Sequence, residues 1–223
     1  MANVRGVAIR HWLGGHIARA IKPARCARST FSAPPLAYNA PMPNYRRARV
    51  EGGSYFFTVN TFRRQPFLTD ADVRAALRTG IETVRAVQPF VIEAWVLLPD
   101  HLHAIWTLPP DDHDFSTRWR IIKRTVTQRC EARLHRPEWM TAWRAKRHQS
   151  TLWQHRFWEH VIRDDADFVR HVDYIHWNPV KHRYVKRAAD WPYSSLHRYL
   201  RAGVLPHDWA ETRAEEDDAD FGE

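Results

Sequence analysis

Two histidines one residue apart, His101 and His103, lie in the segment LPDHLHAIWTLP, and Tyr174 follows in HVDYIHWNP. Alternate residues of a β-strand point the same way, so an HxH pair on a strand aims two imidazoles at one spot on one face. Imidazole is the commonest protein metal ligand, and two aligned rings form half of a divalent-cation site. On a helix, Tyr174 would share a side with Asn178, four residues on, so a phenol nucleophile and a carboxamide ligand would arrive together. This set of groups suits the nicking and rejoining of a DNA phosphodiester. Two imidazoles and an amide are neutral, which leaves the full charge of a Mg²⁺ or Mn²⁺ ion available to a non-bridging phosphate oxygen. The phenol, with an ordinary pKa of about 10, must lose its proton as it attacks. The resulting covalent ester keeps the bond energy, so a second 3′-hydroxyl can reverse the step without a nucleotide cofactor.

Neither half of the set is specific alone. An HxH pair is often ordinary packing, and the chain has six tyrosines besides Tyr174. The combination carries the reading. Glu159 and Asp173 are alternative ligands that rank below Asn178. His160, His171 and His176 are candidates for moving protons, although each is also explained by a structural role.

The elements that must position these groups follow from periodicity. Ser54–Thr61 is aromatic and β-branched, a strand after the Gly52-Gly53 turn. Thr69-Asp70 offers an N-cap for a helix over 71–87, where Val73, Leu77, Ile81 and Val84 recur at helical spacing. Phe90–Leu98 reads as a buried strand, and after the Pro99-Asp100 turn residues 101–108 return as its hairpin partner. Asp114 or Ser116 caps a basic helix through Leu134. Residues 136–152 read as a polar loop and Arg156–Arg163 as a fourth strand. A helix over 165–178 is expected to end near Pro179, and a last short helix over 190–200 to carry Pro192 in its first turn. The order β-α-β-β-α-β followed by helices predicts an α+β, ferredoxin-like split βαβ fold, an antiparallel sheet with helices on one face plus C-terminal helices.

Charge narrows the partner. Residues 1–42 hold six Arg or Lys and no acid, residues 211–223 hold seven acids and one base, and the remainder is strongly basic. Arg118 to Arg147 alone contains ten basic residues against Glu131 and Glu138, which favours a polyanion such as nucleic acid. Eleven tryptophans offer faces for unpaired bases, though most belong to a core. No apolar run approaches a membrane span, and two cysteines give no disulfide framework, as suits the cytoplasm. Three parts are expected: a disordered or non-native extension over 1–42, with translation starting at Met42; a nuclease domain over 43–209; and an acidic tail over 210–223.

The blocks NYRRARVEGGSYFFTVN, AWVLLPDHLHAIWTLP, DFSTRWRIIKR, RFWEHVIRD, YIHWNPVKH and DWPYSSLHRY together resemble the REP-associated tyrosine transposases. These are single-tyrosine enzymes of the HUH endonuclease group, related to the transposases of the simplest insertion sequences. The match runs from about Asn44 to Trp209. It implies the HUH endonuclease fold, His101 and His103 as the HUH pair, Tyr174 as nucleophile and Asn178 as the amide that completes the metal site. It also implies imperfect palindromic repeats with a short single-stranded recognition flank as substrate. Arg183 stands where the family commonly has glycine, and 136–152 is longer than usual. Backbone contacts are assigned to Asn44, Arg46 and Arg47 and to the basic helix at Arg118, Arg120, Lys123 and Arg124. No membrane or nucleotide partner is expected, and a monomer is favoured over a homodimer.

A hairpin-binding protein that does not cut has no need of all four site residues. A rolling-circle replication initiator would call for a longer chain with a helicase-like segment. A structural zinc module would need a further His or Cys at the site. The opposed charges of tail and core suggest that the tail occupies the basic groove. Truncation at Ala210 should then raise both DNA affinity and nicking rate; if neither moves, the idea is wrong.

Overall fold

Strand β1 (Ser54–Asn60) begins after a turn in which Gly52 has φ +66°, a conformation that glycine adopts at little cost. The computed structural model describes residues 49–206 and Trp209, all within the unit Arg49–Glu223. The expected N-terminal extension, Asn44, Arg46, Arg47 and the acidic tail lie outside the described residues. Helix α1 (Ala71–Val87), strands β2 (Val91–Leu97) and β3 (His101–Thr107), helices α2 (Phe115–Leu134) and α3 (Ala142–Lys146), strand β4 (Trp158–Val161), helix α4 (Asp165–Lys181) and helix α5 (Leu196–Arg201) follow in order. The sheet runs β2-β3-β1-β4 with every pair antiparallel. Each crossover helix therefore skips a strand, which is the split βαβ arrangement.

The two central strands are buried on both faces, and alternation divides their side chains. Tyr55, Phe57 and Val59 of β1 join Leu102, Ala104 and Trp106 of β3 in the main core with α1 and α2. The Phe57 ring lies 5.3 Å from Phe115 and 5.6 Å from Trp119 of α2. Phe56, on the other face, meets His171 at 4.7 Å and Tyr174 at 6.0 Å, so α4 covers that side. The two crossover helices α1 and α2 share one face, and α4 takes the opposite one.

Four local expectations change. Asp70 sits at the N-cap of α1 but makes no capping hydrogen bond; it pairs instead with Arg133 of α2 at 2.8 Å. The polar 136–152 segment contains α3, capped by Thr141. Helix α4 continues past Pro179 to Lys181, because a proline in the last turn forfeits one helical N–H bond and the chain end absorbs it. The last helix starts only at Leu196. Residues 193–195 are drawn to the edge of β2, where Leu97 N donates to Tyr193 O at 2.9 Å and Ser195 N to Trp95 O at 2.8 Å. Pairing an open strand edge outweighs an early helix start.

Arg118 also departs from expectation. It is wholly buried, and its guanidinium reaches Asp112 at 2.6 Å, Asp114 O at 2.9 Å, Pro89 O at 3.0 Å and Gln88 O at 3.2 Å. It joins the start of α2 to the end of α1 and is not available to DNA. Arg118→Ala should cost about 3 kcal/mol, since it strips a buried ion pair and three carbonyls of their donor. The urea-unfolding midpoint checks this; an unchanged midpoint would refute the structural role.

Candidate active site

His101 and His103 point from β3 toward α4, their ring centroids 5.0 Å apart, and both are buried. Each is held through Nδ1. His101 Nδ1 lies 2.7 Å from Asp100 Oδ1. Burial tends to raise the Asp100 carboxyl, but the His101 hydrogen bond and the charges of His101 and Arg64 outweigh it and keep that carboxyl below its ordinary value. An ionised carboxylate only accepts, so His101 donates from Nδ1, and in the neutral ring Nε2 carries the lone pair. His103 Nδ1 lies 3.0 Å from Thr58 Oγ1, its cross-strand partner. A hydrogen bond that fixes Nδ1 sets the orientation of each imidazole, as the partners of metal-binding histidines do. The donor set therefore fits a divalent cation.

Helix α4 brings the second half. The Tyr174 ring stands edge-on to His103, with centroids 5.1 Å apart. The phenol is enclosed, at 7% exposure. Asn178, one turn on, is wholly buried. The extra turn past Pro179 carries two groups that sequence reading missed. Lys181 Nζ lies 5.2 Å from the Tyr174 ring centroid, and the His182 ring lies 5.0 Å from His101. Their signal was present: positions 174, 178, 181 and 182 share one helical face. Stopping the helix at Pro179 concealed it.

Other candidates fall elsewhere. Glu159 pairs in register with Phe57, so its side chain is on the α1–α2 face, across the sheet from the histidines. Asp173 is rotated about 100° around the helix from Tyr174. His176 is fully buried against Tyr199, with Nε2 3.0 Å from Ser195 Oγ. Burial, helped by the charges of Arg198 and His197, holds its pKa down at about 3; it stays neutral and moves no protons near pH 7. Arg120 and Arg124 are exposed on α2. Lys123 donates to Gln154 O at 3.0 Å and sits over the Trp153 ring.

His160 and His171 gather around Asp167, and the three offer possible ligand atoms within 4.8 Å of one another. The buried Asp167 carboxylate already accepts from His160 Nε2 at 2.8 Å, from the N–H of Arg163 at 3.1 Å, and from the side chains of Arg163 and Arg170, both at 3.3 Å. With its lone pairs so occupied, the cluster is better explained as the clasp between α4 and β4 than as a metal centre. Phe56 links it to the site, packing on His171 at 4.7 Å, His103 at 5.5 Å and Tyr174 at 6.0 Å.

No protein-family model matches the chain. A REP-associated tyrosine transposase of Escherichia coli K12 is 45% identical over 169 residues, which span 76% of this chain and 92% of the relative. A relative in Haemophilus influenzae with the same family description is 42% identical over 171 residues, spanning 75% and 93%. A solved structure of a REP-associated tyrosine transposase bound to a REP hairpin superposes with a TM-score of 0.68 at 44% identity, covering 82% of this chain and 98% of that one.

The clasp has a pH signature. Burial works to raise the Asp167 carboxyl, but the His160 hydrogen bond, the Arg163 N–H and the charges of His160 and His171 hold it far below the carboxylate range. A carboxyl depressed by folding stabilises fully above its unfolded value of about 3.9 and loses that contribution as the pH falls below it. Asp167→Asn should lower stability by about 2 kcal/mol at neutral pH, and the deficit should shrink below about pH 4. Urea midpoints measured across that range decide it; a deficit independent of pH would exclude the ionised clasp.

Proposed function

We propose a reaction for this chain from one premise: it belongs to the REP-associated tyrosine transposases. It is a transposase that works through a tyrosine. Tyr174 is the nucleophile; its phenolic oxygen attacks the phosphorus of a DNA phosphodiester in line with the departing 3′-oxygen. The new O–P bond gives a 5′-phosphotyrosine, the old P–O3′ bond breaks, and the departing oxygen takes up a proton to become a 3′-hydroxyl. Attack by another 3′-hydroxyl reverses the step on a second strand and releases the phenol. Nε2 of His101, Nε2 of His103 and the carboxamide oxygen of Asn178 are the assigned metal ligands. A Mg²⁺ or Mn²⁺ ion held there supplies charge to a non-bridging phosphate oxygen. Lys181 adds positive charge at the same end of α4.

The carrying observation is the meeting of Tyr174 with His103, ring to ring at 5.1 Å, on the sheet face that also bears His101. Both halves come from one chain, which supports a monomer acting in cis. The substrate is a palindromic hairpin with an unpaired flank; the structural relative is bound to a REP hairpin. Unpaired DNA suits an enclosed phenol, because a single strand can thread to a phosphate that a duplex would bury. Arg120, Lys123 and Arg124 supply backbone contacts. Among the described residues no helix is long and apolar enough to cross a membrane, and the cytoplasm, where chromosomal repeats are accessible, is the assigned compartment.

Incubation with labelled hairpins bearing single-stranded flanks and Mg²⁺ or Mn²⁺ should give a covalent protein–DNA band on a denaturing gel. Tyr174→Phe should abolish the band while hairpin affinity stays within about twofold, since binding energy is spread over many phosphate contacts. EDTA should abolish it reversibly, and His103→Ala should raise the metal requirement at least roughly tenfold. Gel-shifted binding with no covalent species across many hairpins would instead identify a repeat-binding protein that does not cut.

A further inference from the structure

Among the described residues one tryptophan is exposed: Trp143, at 46%, on helix α3. A single exposed aromatic needs no explanation, but the surroundings of this one are specific. The Arg147 guanidinium, one turn on, lies 4.4 Å from its ring centroid, and His155 meets it edge-on at 5.0 Å. The short helix beneath is anchored. Arg144 is buried with its guanidinium 3.7 Å over the Phe62 ring and donates to Ser150 O at 2.7 Å. Beside it, Arg63 lies 5.0 Å from the Trp139 ring centroid.

The charge around this surface has one sign. Residues 139–156 contain Arg144, Lys146, Arg147 and Arg156 and no acid. Burial, then the charges of Arg156, Arg147, Lys123 and the buried Arg144, lower the His155 pKa, so this imidazole lies in a field of one sign. Lys123 brings the basic helix α2 to the same place through Gln154 O.

The surface is continuous with the active site. Gln154, next to His155, exchanges two hydrogen bonds with Asn60, N to O at 3.1 Å and Oε1 from Nδ2 at 3.0 Å. Asn60 is the register partner of His101. Arg64 spans Asn60 at 3.0 Å and Asp100 at 3.6 Å, and Asp100 holds His101. A strand whose phosphate sits at the histidines therefore has a polar, cationic path along this rim to Trp143.

We propose that Trp143, Arg147 and His155 form a stacking platform for unpaired DNA that continues out of the active site. The platform takes nucleobases by their faces, without sequence preference, and the surrounding cations take the phosphates. It gives a role to the 136–152 segment. The inference rests on the DNA-cleaving reading of the site, and its test is separable from that reading.

The full chain is titrated in EDTA, where no cleavage occurs, against two fluorescent probes: a mixed-sequence single strand of about 12 nucleotides and a blunt duplex of matching composition. The wild type should prefer the single strand. Trp143→Ala should weaken single-strand binding roughly tenfold and leave duplex binding unchanged. Trp143→Phe should keep most of the affinity, because a phenyl ring still stacks. Wild-type-like binding by Trp143→Ala, equal losses on both probes, or no single-strand preference in the wild type would each overturn the platform. Covalent capture at Tyr174 is scored separately. A normal adduct together with unaltered Trp143→Ala binding sinks the platform alone. A single-strand-selective loss with no adduct from the wild type keeps the platform and sinks the cleavage reading.

Discussion

The antiparallel pairing of β1 with β3 sets Thr58 opposite His103 and Asn60 opposite His101, and the rest of the site is built outward from that register. Both strands are covered on both faces, so each residue serves either the core or the chemistry. Leu102, Ala104 and Trp106 enter the core, while His101 and His103 face α4. A slip of one residue would exchange the two sets, burying imidazoles among aromatics and offering leucine to a metal. Such a slip is heavily disfavoured, because it would withdraw Leu102, Ala104 and Trp106 from the core they share with Tyr55, Phe57 and Val59. The hydrophobic core thereby fixes where the histidines point.

Helix α4 must then be held to the same standard, since the nucleophile proposed on it would lose much of its rate if displaced by even an ångström. Three kinds of contact hold it. Asp167 clasps its first turn to β4 through His160. Phe56 fills the middle, touching His171 and Tyr174 from below. Near its C-terminal end, His176 bonds Ser195 in the segment that pairs with the β2 edge. Buried polar groups cost stability unless partnered, and along this helix that cost accompanies accurate placement.

The positive charge of the chain is divided between two uses. Arg118 and Arg144 are buried and serve the fold, one through Asp112 and backbone carbonyls, the other over the Phe62 ring. Arg120, Arg124 and Arg147 remain exposed. A count of basic residues cannot separate these roles, because a guanidinium's multiple donors suit buried carbonyls as well as phosphates. The separation depends on which distant segments close over the side chain: the turn after α1 for Arg118, Phe62 and Ser150 for Arg144.

The sequence by itself determined what depends on near neighbours. Alternation made 101–107 a strand with both histidines on one side, 3.6-residue periodicity made 71–87 and 115–134 amphipathic helices, and the spacing of Tyr174 and Asn178 placed them on one helical face. Those are properties of a few consecutive residues and their backbone angles. Tertiary structure decided which face of the sheet α4 covers, that Pro179 leaves a further turn with Lys181 and His182 beside the site, that residues 193–195 pair with β2 rather than start a helix, and that Arg118 is interior. Each of those outcomes depends on partners distant in sequence, whose burial and hydrogen bonds outweigh the local preference of the segment concerned.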